Sequence, residues 1–254
     1  MPTETVPCDP KTRKGILMDY EKNQKYFKTA NKTIPIIGAV VTVIGLVLLL
    51  LLNYQTKMIA AVVAIVGIVI IIASLTSGMK DDDIDGAVAS KMNTIEADAS
   101  EIFKFPRRYE VLHPAVILGG YDFTRTEDSP VKRGKDLKYR NGYYCGLLIN
   151  FTNDGLRILS RKFSILKDDC VEENLHFAWE ELESSRLDEQ EVSFKMVDGK
   201  DATIKVDVLK IVLKNGKTLE YCVKNTADVD ETMDMIYRQC VRVKQEELKN
   251  KVSE

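Results

Sequence analysis

Apolar residues are segregated along this chain. Two uninterrupted runs, IPIIGAVVTVIGLVLLLLL (34–52) and MIAAVVAIVGIVIIIASL (58–75), hold almost every long apolar stretch, and the remainder is strongly charged. At the usual helical rise each run makes a rod of about 27–29 Å, close to the roughly 30 Å hydrocarbon core of a bilayer. Only NYQTK (53–57) joins them, so the pattern predicts an antiparallel transmembrane hairpin with both chain ends on one side. Gly38 and Gly45 lie seven apart on one face of the first helix, and Gly67 is small enough for close approach from the second. They mark the helix–helix contact, or they reflect how common glycine is in membrane helices. The first run starts beyond residue 30 and leads almost directly into the second, which argues against a cleaved signal peptide.

A helical period follows the second run. Ile84, Val88, Met92, Ile95, Ala99 and Ile102 recur at intervals of four and three, one face of a helix over 80–104. Its start, DDDIDG, also resembles half of a calcium loop, with Asp81, Asp83, Asp85 and Gly86 at positions 1, 3, 5 and 6. Position 12, which should be a bidentate glutamate, is Met92, and position 9 is Ala89. The stronger reading is therefore an amphipathic connector helix whose first turn is capped by Asp81–Asp83, with no metal assigned.

From Phe105 the period shortens to that of strands. YYCGLLINFT (143–152), the turn NDG (153–155) and LRILSRKF (156–163) predict a hairpin. NLHFAWEELESSRL (174–187) and EVSFKMV (191–197) read as two further strands. ATIKVDVLKIVLK (202–214), the NG turn (215–216) and KTLEYCVK (217–224) predict a final hairpin. Pro106 to Thr124 predicts one early strand and a turn at Gly119–Gly120. Thr226 or Asp228 then caps a closing helix with an apolar stripe at Val229, Met233, Ile236, Cys240 and Val243, and KQEELKNKVSE beyond it reads as fraying.

About seven strands and one amphipathic C-terminal helix form the outline of a pleckstrin-homology-like module. GLLINFTNDGLRIL, HFAWEELESSRL and LKIVLKNGKTLEYCVKN resemble the strand segments of bacterial PH-like and GRAM-type domains, over roughly 105–245. The long polar lead YDFTRTEDSPVKRGKDLKYRNG (121–142) departs from that pattern and blurs the first strand. The expected fold class is thus a membrane protein of α+β type: a two-helix transmembrane hairpin, an amphipathic connector helix, and a PH-like β-barrel or sandwich closed by a C-terminal helix. Its segments are a basic leader (1–33), the hairpin (34–77), the connector (80–104), the PH-like domain (105–246) and a polar tail (247–254).

Charge and cysteine usage then place the ends. Lys11, Arg13, Lys14, Lys22, Lys25, Lys28 and Lys32 precede the first run, against Lys57 alone in the connecting loop, which predicts cytoplasmic termini in a cell-membrane protein. The leader segment LMDYEKNQKYFKTANKT (17–33) reads as a solvated basic leader or as a juxtamembrane helix with Tyr20, Tyr26 and Phe27 at the interface. Five cysteines, Cys8, Cys145, Cys170, Cys222 and Cys240, are scattered without metal-ligand spacing, which suits a reducing compartment. The net charge of -2 gives no footprint for nucleic acid.

The search for chemistry yields a binding candidate only. His113 and His176 stand alone, Trp179 reads as core, the Asp168–Asp169 and Glu172–Glu173 pairs read as a solvated loop, and no phosphate loop, HExxH or GxSxG motif is present. VKRGKDLKYR (131–140) crowds Lys132, Arg133, Lys135, Lys138 and Arg140 into one loop. The likeness to phosphoinositide-binding PH domains implies an anionic-lipid contact there. Two functions are expected. One is a non-enzymatic membrane protein, without cofactor, presenting a module for protein interaction, scaffolding or oligomerisation. The other is an accessory or sensor subunit of a transporter or channel that responds to anionic lipid; no charge inside the spans marks an ion path of its own. Membrane lipids, other membrane proteins and self-association are the expected partners.

Overall fold

The computed structural model describes residues 5–7, 18–28, 33–51, 53–76, 79–103, 110–125, 127 and 129–252. They fall into two units, one running Gln24–Lys80 and the other holding the segment up to Asn23 together with everything from Asp81 onward. A short helix, α1 (Tyr20–Phe27), lies at the first boundary.

In the Gln24–Lys80 unit the apolar runs form α2 (Thr33–Leu51) and α3 (Tyr54–Thr76), each long and apolar enough to cross a membrane. They pack antiparallel through the glycines. A Cβ on Gly45 would stand 2.5 Å from the Ala64 amide nitrogen, and one on Gly38 would stand 3.0 Å from the Gly67 carbonyl oxygen. No side chain fits at either place, so these glycines are the contact itself. Ile36, Val40, Val43, Leu50, Val62 and Ile65 are exposed on the outer faces of the pair.

In the larger unit, α4 spans Asp81–Phe103. Its buried side chains are Ile84, Val88, Met92, Ile95, Ala99 and Phe103, the predicted stripe with Phe103 at its end. The unit holds ten strands among the described residues. β1 (Thr5–Pro7), β2 (Val111–Tyr121), β5 (Tyr143–Thr152), β6 (Gly155–Ser164) and β7 (Cys170–Phe177) form an antiparallel sheet in the order β1-β7-β6-β5-β2. β8 (Leu182–Lys195), β9 (Asp201–Leu213) and β10 (Thr218–Cys222) form a second sheet in the order β10-β9-β8, and β3 (Val131–Arg133) with β4 (Tyr139–Asn141) makes a small ribbon. The C-terminal helix α5 is Ala227–Val252.

Strand parity decides what each sheet face buries. From β5, Cys145, Leu147, Ile149 and Phe151 enter a core shared with Ile158, Trp179, Leu209, Ile211 and, from α5, Val229, Ile236 and Cys240. The other face of β5 carries Gly146, whose missing side chain makes room for the Met92 thioether of α4. The five-stranded sheet therefore has α4 on one face and the second sheet with α5 on the other. The described strands stay in separate sheets and close no barrel.

Several expectations are corrected. Gly119 and Gly120 make no turn; they lie inside β2, where a Cβ on Gly120 would stand 2.9 Å from the Val223 carbonyl carbon. NLHFAWEELESSRL is not one strand, because a 3-10 turn at Trp179–Glu181 ends β7 and starts β8, and EVSFKMV is the continuation of β8 rather than a new strand. The leader supplies an edge strand, with Val6 opposite Glu172, and its Tyr26 and Phe27 are buried. α5 runs on through the segment expected to fray, as far as Val252. Glu172 is buried rather than solvated.

Gly86 is helical and exposed, and a Cβ there would meet nothing within 4 Å. A calcium loop would turn at this glycine, whereas here it only weakens a helix. Gly86→Ala is expected to stabilise the larger unit by about 0.5–1 kcal/mol, seen as a rise in melting temperature.

Candidate functional site

The basic segment 131–140 is a ribbon rather than a loop. Lys132 pairs with Arg140 and Arg133 with Tyr139 across β3 and β4, and the turn between them closes by Gly134 N–H to Lys138 O at 2.8 Å. Leu137 holds φ at 66° in that turn, a left-handed conformation costly for a side chain with a Cβ, and it is exposed. Leu137→Gly is expected to gain about 1 kcal/mol of stability, measurable by denaturant unfolding.

Arg140 is buried, with 1% of its side chain exposed. Its guanidinium donates to Asp85 through Nε (2.9 Å, to Oδ1) and Nη2 (2.6 Å, to Oδ2), and to Asp136 through Nη1 and Nη2, both at 2.9 Å. Asp81 Oδ1 stands 4.0 Å from Nη1, and its Oδ2 accepts the Lys135 amide at 2.7 Å. The Tyr121 hydroxyl completes the cluster by donating to Asp85 at 2.8 Å. Asp81 and Asp85 sit four apart on α4, one helix turn, so both meet the same cation. The aspartates that resembled a calcium loop instead hold the first turn of α4 to the ribbon, while Asp83 is exposed. Among the described residues no group of His, Cys, Asp and Glu could hold a metal ion.

Electrostatics follow from this packing. Burial alone would raise the Asp85 carboxyl, but hydrogen bonds from Arg140 and Tyr121 outweigh it and leave it below the ordinary value. Hydrogen bonds from Arg140 hold Asp136 well below the usual carboxylate range. Burial, then the bond to Asp85, pushes the Tyr121 phenol far up. Burial lowers Lys132. Of the five cations proposed for a lipid headgroup, Arg140 is thus given over to carboxylates and Lys132 is half-buried, while Arg133, Lys135 and Lys138 are exposed.

A second buried arginine anchors the far end of α4. Arg161 on β6 donates to Glu172 through Nε at 2.9 Å and Nη2 at 2.7 Å, to Thr94 at 2.9 Å, and to Asp98. The only sequence signal for either cluster is the placing of Asp81, Asp85, Thr94 and Asp98 beside the apolar stripe.

Between α4 and the sheets lies a cleft of about 750 Å³. Val88 and Met92 of α4, Ile117 and Tyr121 of β2, Tyr144 of β5 and Val206 of β9 contribute to its walls, with Lys138, Lys205 and Lys224 among its charged groups. It opens where β10 stops short. After Val223 the chain leaves β9, and Lys224 N–H donates instead to Gly119 O at 2.9 Å. Burial raises the thiols of Cys145 and Cys222 to about 12, so neither is a nucleophile near neutral pH. The cleft has the form of a binding site, lined by apolar and aromatic side chains with a few polar groups.

The remaining candidates have structural partners. Trp179 is buried, donates Nε1–H to Thr152 O at 2.9 Å and stacks on Phe151. His113 lies 3.0 Å from Glu231, and His176, lowered by burial and by Arg157, lies 3.5 Å from Asp154. Cys145, Cys222 and Cys240 are free, whereas Cys170 is disulfide-bonded, which departs from the expectation of reduced thiols throughout; Cys8 lies outside the described residues. The chain matches no protein-family model, no curated protein and no solved structure.

Proposed function

We propose that this chain is a membrane-anchored, non-enzymatic protein whose larger unit works as a PH-like interaction module in the cytoplasm. The observation that carries the anchor is the outward face of the α2–α3 pair. It is apolar along its length, a surface suited to hydrocarbon and not to water. The PH-like reading draws on the order of elements: four antiparallel strands (β2, β5, β6, β7), three more (β8, β9, β10), then α5. The open cleft and the protonated, buried thiols favour binding over catalysis.

The lysines support this orientation. Those preceding α2 outnumber the single Lys57 of the link, and this bias acts during insertion. A disulfide at Cys170 points the other way, toward an oxidising compartment, and the protease test separates the two. A C-terminal tag tests the reading: in intact cells it is expected to resist added protease and to be cut once the membrane is opened. Digestion of the tag in intact cells would overturn the cytoplasmic assignment, and the absence of any partner after crosslinking and purification from native membranes would overturn the interaction role.

The exposed Arg133, Lys135 and Lys138 support a second reading, in which the ribbon meets anionic lipid at about 1 kcal/mol per cation. Loss of binding to phosphatidylserine vesicles on charge reversal at the three positions is its expected signature.

A further inference from the structure

β9 is longer than its neighbour on one side. β8 pairs with it from Asp201 to Leu213, whereas β10 pairs only from Val208 to Val212. Residues 201–207 of β9 therefore have one paired edge and one edge with no strand on it among the described residues. Backbone direction along that edge follows from a single bond, Val223 N–H to Asp207 O at 3.1 Å. N–H and C=O of alternate residues point the same way, so those of Thr203 and Lys205 face the open side with Asp207. The open edge borders the cleft, whose lining includes Ile204, Lys205, Val206 and Asp207.

We infer that the cleft is a strand-docking site, in which an extended peptide of a partner protein adds to the Asp201–Asp207 edge of β9 along the line that β10 abandons at Cys222. This deepens the interaction role proposed above and rests on it. The backbone geometry demands an extended chain, since a strand offers N–H and C=O groups at the spacing of 203 and 205, the Asp207 carbonyl being already bonded to Val223 N–H. Side chains set its pattern. Ala202, Ile204 and Val206 pack with the cluster of Phe123, Phe194 and Val208, so alternate residues of the incoming strand are apolar. On the other face Lys205 is exposed and already attracts Glu189 of β8 at 2.6 Å, and Lys224 is exposed at the cleft. An acidic residue opposite Lys205 is the matching choice. The same lysine on an open edge discourages indiscriminate pairing.

The test uses the intact protein in lipid nanodiscs, panned against a random-peptide phage library. Enriched peptides are expected to alternate apolar and polar residues and to carry an acid in the central register. Methylating the amides that face the edge is expected to weaken binding about tenfold or more, since backbone hydrogen bonds are lost. Lys205→Pro should do the same, because its N–H faces the open side and serves no bond to β8. Lys205→Glu changes only an exposed side chain; it is expected to weaken acidic peptides, with binding restored by a lysine in the peptide. No enrichment, or binding indifferent to methylation and to both variants, overturns the proposal. Concentration-dependent self-association abolished by Lys205→Pro would assign the edge to a second copy and overturn it equally. Co-purifying partners that persist in Lys205→Pro would remove the cleft and leave the interaction role standing. Edge-dependent peptide binding with no partner in native membranes would leave the cleft and remove that role.

Discussion

Replacing Arg140 with methionine is expected to destabilise the larger unit by about 3 kcal/mol, a fall of about 6–12 °C in melting temperature. The loss comes less from the arginine than from what it leaves behind. Asp85 and Asp136 each accept two of its hydrogen bonds and Asp81 stands 4.0 Å away, so the variant leaves three clustered carboxylates without their common cation. Asp85 and Asp136 keep 45% and 33% of their side-chain exposure, and water takes up part of the charge, which puts the effect at the lower end for a broken buried pair. Adding Asp85→Leu and Asp136→Asn to the variant should recover most of the loss, because two of the carboxylate charges left without their cation are then gone. A single variant as stable as the parent would mean that the cluster does not hold α4.

Acid acts on the same residues. Both Asp85 and Asp136 titrate below their ordinary values, so the stability they give is complete above the unfolded carboxylate range, about pH 4, and is lost as pH falls through the lowered values. Hydrogen exchange at residues 81–88 should accelerate over that acid window in the parent protein. In Arg140→Met the dependence should vanish or invert, since clustered carboxylates gain from protonation.

Repetition explains which features were legible in the sequence. The stripe Ile84–Val88–Met92–Ile95–Ala99 and the one on α5 could be read because burial recurs at each helix turn, and α2 and α3 because each run is long, apolar and almost free of charge. The hairpin at Asn153–Gly155 and the turn at Asn215–Gly216 carry local turn chemistry. What escaped depends on residues distant in sequence. Gly119–Gly120 has the composition of a turn, yet Gly120 serves the close approach of Val223, about a hundred residues later, and Gly119 that of Tyr144 and Cys145. Trp179 interrupts an otherwise even alternation because its indole reaches Thr152, and no local pattern records that bond. The partners of Asp81 and Asp85 run from Tyr121, at the end of β2, to Arg140 on β4, so the aspartates read locally as a cap or half a calcium loop. The basic ribbon was read by its charges, and Arg140 could not be told from its exposed neighbours until its burial was known.

The largest loss is expected at the other arginine. Arg161→Met should cost about 4–5 kcal/mol, more than Arg140→Met, because its acceptors are drier. Asp98 retains 13% and Glu172 7% of side-chain exposure, against the much wetter carboxylates around Arg140. Glu172 accepts two hydrogen bonds from the guanidinium, and buried on β7 it meets little water to replace them. Arg161 also joins three elements, with Thr94 and Asp98 on α4, itself on β6 and Glu172 on β7. Its loss should therefore free the second half of α4 while the first turn stays clamped by Arg140. Hydrogen exchange distinguishes the two variants: protection should fall at residues 94–103 in Arg161→Met and at residues 81–88 in Arg140→Met. Uniform loosening of α4 in both would show that the helix docks as one cooperative element through its apolar stripe, with the arginines secondary. Glu172→Gln provides the internal check, since it keeps the shape and one acceptor and should lose clearly less than Arg161→Met.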